Sequence, residues 1–421
     1  MATFRIGRFF GVLTGTAAIL AVGVYAPATL LGPLPLAQVE VVKAAEPTAN
    51  AALSPVLPET GASSVILAGD TVPFALGGTS DPLPLASIAK LVTALVVLDE
   101  KPLAAGATGE THLIGVDDYQ DYIDYSGSGA RTVVVFPNEK WTQLEMLQAL
   151  ILGSSNNHAD TLARWAYGSV DEYLIAATKW LDKNGLTGIS VTDTTGLSAE
   201  SRGTASDVAK LATLVQSEPA ISAILENPPS ALVNNRGVSN TTAYLAEEGV
   251  TGISRSYTDE AGVCLLFTAS APPPEGSPAG AEPLTFSAVV LGSPDYDTLE
   301  SDVLALIESA KAGAGSVPLI EKDASYATIT TLWGTSASAV ALTAHDRRAW
   351  AANDAKLTVR IDDVSAGPVG KIVGKVTVTT PGGEAESRLQ LDRALNDPGP
   401  GWRLLNPVPL ISALLDAQNF G

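Results

Sequence analysis

Residues 82–98 read PLPLASIAKLVTALVVL. Apolar residues at 88, 91, 92, 95 and 98 recur at helical spacing, so a helix begins near Ser87. Two polar side chains stand at its start, Ser87 and Lys90, three residues apart and therefore on one face. One explanation is a serine N-cap followed by a solvated lysine. The other is chemical: a neutral lysine amine takes the proton of a serine hydroxyl within reach and leaves an alkoxide-like nucleophile. The partial positive charge and free N–H groups of a helix N-terminus would then face a developing oxyanion. The segment alone leaves both explanations open.

Residues 149–166, ALILGSSNNHADTLARWA, run an apolar helix into a short polar turn, Ser154-Ser155-Asn156, from which a second helix leaves at Asn157. A hydroxyl and an amide two residues apart on a tight turn can point the same way. The hydroxyl would relay a proton and the amide would hold a substrate carbonyl. Ordinary turn chemistry between two helices uses the same residues.

Together the two stretches resemble the penicillin-interacting serine enzymes, whose set is S-x-x-K, S-x-N and a K-T-G strand. ASIAKLVTALVVLD, LILGSSNNHADTLA, DTTGLSAESRGTASDVAKLA and GVTGISRSYTDEAGVCLLFTA are similar to the low-molecular-mass D-alanyl-D-alanine carboxypeptidases of that group. The likeness covers roughly residues 63–310, in the same order. It implies that Ser87 is the acylated nucleophile, Lys90 its base, Ser154 the proton relay and Asn156 a substrate ligand. The partner it implies is the peptidoglycan stem peptide. Acylation releases the terminal D-Ala, hydrolysis completes the cycle, and β-lactams act as substrate mimics. It calls for no metal and no organic cofactor.

The third motif departs from the family. Where K-T-G is expected the chain reads Ser254-Arg255-Ser256, still followed by YTDEAG. In the family the lysine supplies positive charge near the nucleophile, which favours a neutral S-x-x-K lysine and attracts the substrate carboxylate. Arg255 restores a cation one position on. Adjacent strand residues face opposite sides, so Arg255 is expected to point away unless a bulge turns it back. Ser256 adds bulk where substrate backbone would lie. Ser254, Arg255 and Ser256 are therefore candidate substrate-binding positions, and the altered strand supports a second reading: a weak or inactive homologue that binds or scaffolds at the cell wall. A third reading, a serine β-lactamase, needs an E-x-x-x-N type segment after the S-x-N turn, and none is recognisable.

The remaining sequence fits an exported protein. Arg5 and Arg8 precede an almost uncharged stretch from Phe9 to Ala37, an export signal or membrane anchor with its basic end in the cytoplasm. Phe9 to Leu31 is long enough to cross a bilayer, and Val24 and Ala26 are small enough for a cleavage site, but Pro27 follows directly. Residues 46–421 carry 22 basic against 44 acidic side chains, a surface that repels nucleic acid and anionic headgroups. The expected location is extracytoplasmic.

Four regions follow from composition and periodicity: a signal or anchor at 1–37, an Ala/Pro/Thr-rich linker at 38–62, a main domain at 63–312 and a β-rich module at 316–421. In the main domain SSVILAGDTVPFALGG (63–78) reads as a hairpin. Helix signals follow at 87–99, 142–153, 157–167, 170–184 and 206–216. Strand signals return at 249–253, 262–270 and 284–292, before a helix at 296–312. Strands at both ends with helices between them make an α+β domain whose sheet pairs early and late segments. The resemblance makes this a serine β-lactamase/DD-peptidase-like fold, with an antiparallel sheet and a helical subdomain. Beyond AKAGAGSVPL (310–319), short alternating runs read as a small all-β domain.

Other features carry less. Cys264 lies in an apolar run and reads as a small core residue. His112, His158 and His345 lack metal-ligand spacing, and His158 reads as a helix-surface residue beside the S-x-N turn. Asp117, Asp118, Asp121 and Asp124 lack the EF-hand pattern and read as an acidic, Tyr-rich surface loop.

Overall fold

The computed structural model describes residues 6–42, 54–273, 282–350 and 355–419. The chain divides into two compact bodies. One holds residues 49–316 and 348–353; the other holds 1–48, 317–347 and 354–421.

Among the described residues of the first body, five strands form an antiparallel sheet. Their order is Ala75–Gly78, Ala62–Leu67, Leu284–Ser293, Gly262–Ala271, Thr251–Thr258. The expected hairpin is there, with Ala62 opposite Gly78 and Val65 opposite Ala75. Early and late segments meet where Val65 faces Ala288. Successive strand side chains alternate between faces, and all six residues of Ala62–Leu67 are buried, so both faces are covered there. The helix Tyr296–Gly313 packs on the two strands Gly262–Ala271 and Leu284–Ser293, and Ala205–Ser217 packs on Ala62–Leu67 and Leu284–Ser293. Cys264 is buried in this sheet, as its apolar surroundings suggested.

The helical part is built around Ala89–Glu100. Its residues Ala89 to Leu98 are all buried, because helices Gln143–Ile151, Asn156–Tyr167 and Val170–Lys183 surround it. A helix enclosed on all sides reads as an apolar run rather than a stripe. Gln143–Ile151 is started by a capping box in which Thr142 and Glu145 satisfy each other's backbone N–H groups.

The acidic stretch expected as a surface loop is instead a helix, Val116–Gly127. Asp118 is the reason. Its carboxylate accepts from the Gly115 N–H at 2.9 Å, His112 Nε2 at 2.8 Å, Thr161 Oγ1 at 3.0 Å and Arg164 Nη2 at 2.9 Å. Tyr119 and Tyr122 supply the face that packs on the core, so tyrosines carry the helical period where aliphatic residues were sought.

Among the described residues of the second body, six strands form an antiparallel sheet ordered Gln38–Val41, Ser325–Thr330, Ser336–Ala341, Gly383–Leu391, Ile372–Thr380, Lys356–Ile361. Helices Gly399–Leu405 and Pro407–Asn419 follow the last strand. The first strand comes from the stretch read as a linker, of which residues 43–53 lie outside the described residues.

Candidate active site

Ser87 sits in a single 3-10 turn, Ala86–Ile88, that leads into Ala89–Glu100. No side chain caps that turn, so Ser87 is not an N-cap. Ala86 before it has φ +45°, and Ser154 has φ +49°. A residue with a Cβ occupies this left-handed region at a cost of about 1–3 kcal/mol, and such strain concentrates at functional sites. Gly196 passes against the same backbone: a Cβ there would lie 1.8 Å from the Ala86 carbonyl oxygen, and its own φ is +75°.

Lys90 is 3% exposed, not solvated. Its Nζ donates to Ser87 Oγ at 3.2 Å and to the Thr195 carbonyl at 2.8 Å. Burial pushes the amine down to about 7, because a buried ammonium loses its hydration. Asp193 and Asp160 oppose that shift, and Arg131 adds to it. Ser154 Oγ donates to Ser87 Oγ at 2.9 Å. The Ser87 hydroxyl thus lies between an amine able to take a proton and a hydroxyl able to pass one.

Hydrogen bonds tie the S-x-N turn to its surroundings. Asn156 begins the helix Asn156–Tyr167, and both its backbone N–H and its Nδ2 donate to the Arg131 carbonyl, each at 2.9 Å. Its Oδ1 is buried and has no hydrogen-bond partner among the described residues. Ser155, between the two motif residues, faces inward and bonds Asn157 Oδ1 at 2.7 Å and His158 Nδ1 at 2.8 Å. His158 is fully buried against Trp141, correcting its reading as a surface residue; burial drives its pKa down to about 3.

The strand Thr251–Thr258 brings its altered motif alongside. Ser254 borders a small internal cavity with Ser87, Lys90 and Ser154. Ser256 lines the outer cleft with Ser87 and Asn156, and its buried Oγ also lacks a partner among the described residues. Arg255 borders the inner cavity, but its side chain is committed elsewhere. Nε donates to the Thr241 carbonyl at 3.2 Å, and the guanidinium lies 5.4 Å and 5.9 Å from the ring centres of Tyr244 and Tyr296. The strand's register shift, between Leu266 and Phe267 of its neighbour, does not undo that alternation.

The outer cleft, about 490 Å³, is lined by Ser87, Arg131, Asn156, Gly196, Ser256 and Asp259 among others. Arg131 is exposed there, and among the described residues its guanidinium makes no hydrogen bond or ion pair. Sequence reasoning missed this residue, which lies in no periodic segment. It also gave no role to Asp193, whose carboxylate accepts from Gly196 N at 3.0 Å, Ser201 Oγ at 2.6 Å and Thr195 Oγ1 at 2.6 Å, and so shapes the loop that holds Lys90. An Asp three residues before a Gly was the available signal. Asp160, four residues after Asn156 and on the same helix face, accepts from Tyr125 Oη at 2.7 Å and from Thr194 Oγ1.

Three comparisons bear on this arrangement. The family model described as D-alanyl-D-alanine carboxypeptidase matches residues 57–273. A search of the curated proteins found no match. Among solved structures, penicillin binding protein 6B from Escherichia coli aligns with TM-score 0.58 and 17% identity, over 82% of this chain and 99% of that one. Penicillin binding protein 5 from Haemophilus influenzae gives 0.57 and 17%, over 82% and 99%. A D-alanyl-D-alanine carboxypeptidase from Francisella tularensis gives 0.55 and 15%, over 83% and 97%. At these identities the structural likenesses establish the fold, and the family match covers most of the first body.

Proposed function

The chain belongs to the D-alanyl-D-alanine carboxypeptidase family, and from that premise we propose that it is exported and removes the terminal D-Ala of peptidoglycan stem peptides through an acyl-enzyme at Ser87. The observation that carries this reading is the hydrogen-bonded trio of Lys90 Nζ, Ser87 Oγ and Ser154 Oγ at 3.2 and 2.9 Å, with Lys90 buried and shifted to about 7.

In this reading neutral Lys90 takes the Ser87 proton as Oγ bonds to the carbonyl carbon of the penultimate D-Ala. The tetrahedral intermediate collapses, the peptide bond breaks, and the leaving amine takes a proton passed through Ser154. The product is free D-Ala and a Ser87 ester. Water then adds to the ester carbonyl, and Ser87 regains its proton as the shortened peptide leaves. Positioned proton transfer of this kind contributes about 10²–10⁴-fold. Asn156 and Ser256 line the cleft, and their buried, unpartnered Oδ1 and Oγ would serve as acceptor and donor for substrate amides. Arg131 supplies the positive charge that Ser254 lacks. β-Lactams would acylate the same serine.

A peptide ending in D-Ala-D-Ala, incubated with wild type and with Ser87→Ala, tests this. Released D-Ala is expected from the wild type and not from the variant. Equal release from both would place the chemistry at another residue.

A further inference from the structure

Small residues occupy the −3 and −1 positions of two candidate processing sites, Val24/Ala26 and Val42/Ala44. The structure gives both an unexpected setting, because the chain between them is built into the second body. Tyr25 Oη donates to the Leu404 carbonyl at 2.5 Å. Thr29 is fully buried. Arg403, held by Asp397, donates through Nη1 to the carbonyls of Thr29 at 3.3 Å and Gly32 at 2.9 Å. Ala37 N donates to Val364 O at 2.8 Å, Gln38–Val41 pairs with Ser325–Thr330, and Val42 N donates to Tyr326 O at 3.0 Å.

These contacts follow directly on an apolar helical run, Phe9–Leu30, 22 residues long with mean hydropathy 1.9 and an unburied apolar window. At about 1.5 Å per residue the part of that run before its packed last turn, Phe9–Tyr25, reaches about 25 Å, the short end of what crosses a bilayer core. Its last turn, Ala26–Leu30, packs on Gly399–Leu405 and Pro407–Asn419. Leu31, Leu405 and Val408 are exposed at 84%, 82% and 74%, on or beside the elements of that junction. The bond after Ala26 lies inside helical backbone, with Pro27 next. Removing everything before residue 45 would strip the edge strand from Ser325–Thr330 and leave Arg403 without two of its acceptors. An uncovered sheet edge invites pairing with other chains.

We propose that the N-terminal segment is not removed: it stays as a membrane anchor joined to the C-terminal sheet body without a flexible spacer, and a lipid bilayer is the partner of this end of the chain. This stands apart from the chemistry at Ser87. Arg5 and Arg8 before the span set the basic end in the cytoplasm.

The full chain carrying a C-terminal affinity tag, produced in a bacterial host, provides the test. Its expected state is in carbonate-washed membranes, with an intact mass that includes residues 6–25. A soluble species beginning at Pro27 or later would overturn the proposal. Two truncations test the interlock by hydrogen exchange. Lacking residues 1–25, the chain should keep its protection at 325–330. Lacking 1–42, it should lose protection there by about tenfold or more, at the amides that face Gln38–Val41. Equal protection in the two would show that the N-terminal segment is not part of the sheet body.

Discussion

Burial lowers the Lys90 amine far enough for it to serve as the base proposed for Ser87. An exposed lysine stays protonated at neutral pH, whereas this one titrates near 7. Acylation by a β-lactam should therefore rise with pH through a midpoint near 7, as the ammonium gives up its proton. Lys90→Met should lower the rate about 100-fold or more. A flat profile from pH 5 to 9 would show that Lys90 is not the base. The same shift has a stability sign. Between about 7 and 10.5 the unfolded chain holds a proton that folded Lys90 has released, so this group makes folding more favourable as pH rises through that window. Arg131 lowers the amine's pKa, so Arg131→Gln should move the acylation midpoint upward and slow acylation by carboxylate-bearing penicillins about tenfold. An unmoved midpoint would remove Arg131 from the site's electrostatics. The Ser87 and Lys90 pair was legible as two residues on one helix face, but the choice between a cap and a nucleophile was not. That choice depends on Thr195 and Ser154, more than 60 residues away in sequence.

Elements hold these side chains in place through a few charged and crowded contacts. The helix Val116–Gly127 rests on Asp118. Burial alone would raise the pKa of that carboxyl, but His112, the Gly115 N–H and Arg164 hold it below the ordinary range. Asp118→Asn should cost about 2–4 kcal/mol in urea unfolding, because it leaves Arg164 and His112 facing a neutral partner. The wild-type advantage is present above the unfolded carboxyl's pKa, near 4, and fades as pH falls toward the folded value. A cost below about 0.5 kcal/mol would mean that the cluster does not stabilise the helix. Gly196→Ala should slow acylation as well as destabilise, since its Cβ displaces the Ala86 backbone that presents Ser87. Apolar period located Ala89–Glu100 and Tyr296–Gly313 to within a few residues. It failed for Val116–Gly127, where aspartates at the helix start stabilise the N-terminus yet read as loop composition.

The early hairpin and the late strands could be paired from sequence because apolar strands at both ends of an α+β segment need each other's edges. The place of Gln38–Val41 could not. That strand is four exposed residues whose only signature is hydrogen bonding to Ser325–Thr330, and backbone pairing leaves no mark on composition. The missing K-T-G lysine was legible as a departure. Its consequence was not, since Arg131 approaches from a segment without periodicity while Arg255 packs on tyrosines. Whether the altered strand still supports covalent chemistry is decided most directly by the intact mass of the protein after incubation with benzylpenicillin, with Ser87→Ala beside it. One adduct on the wild type and none on the variant is the expected result. No adduct on the wild type at high penicillin and long times, or an adduct that survives in Ser87→Ala, would contradict a nucleophile at Ser87.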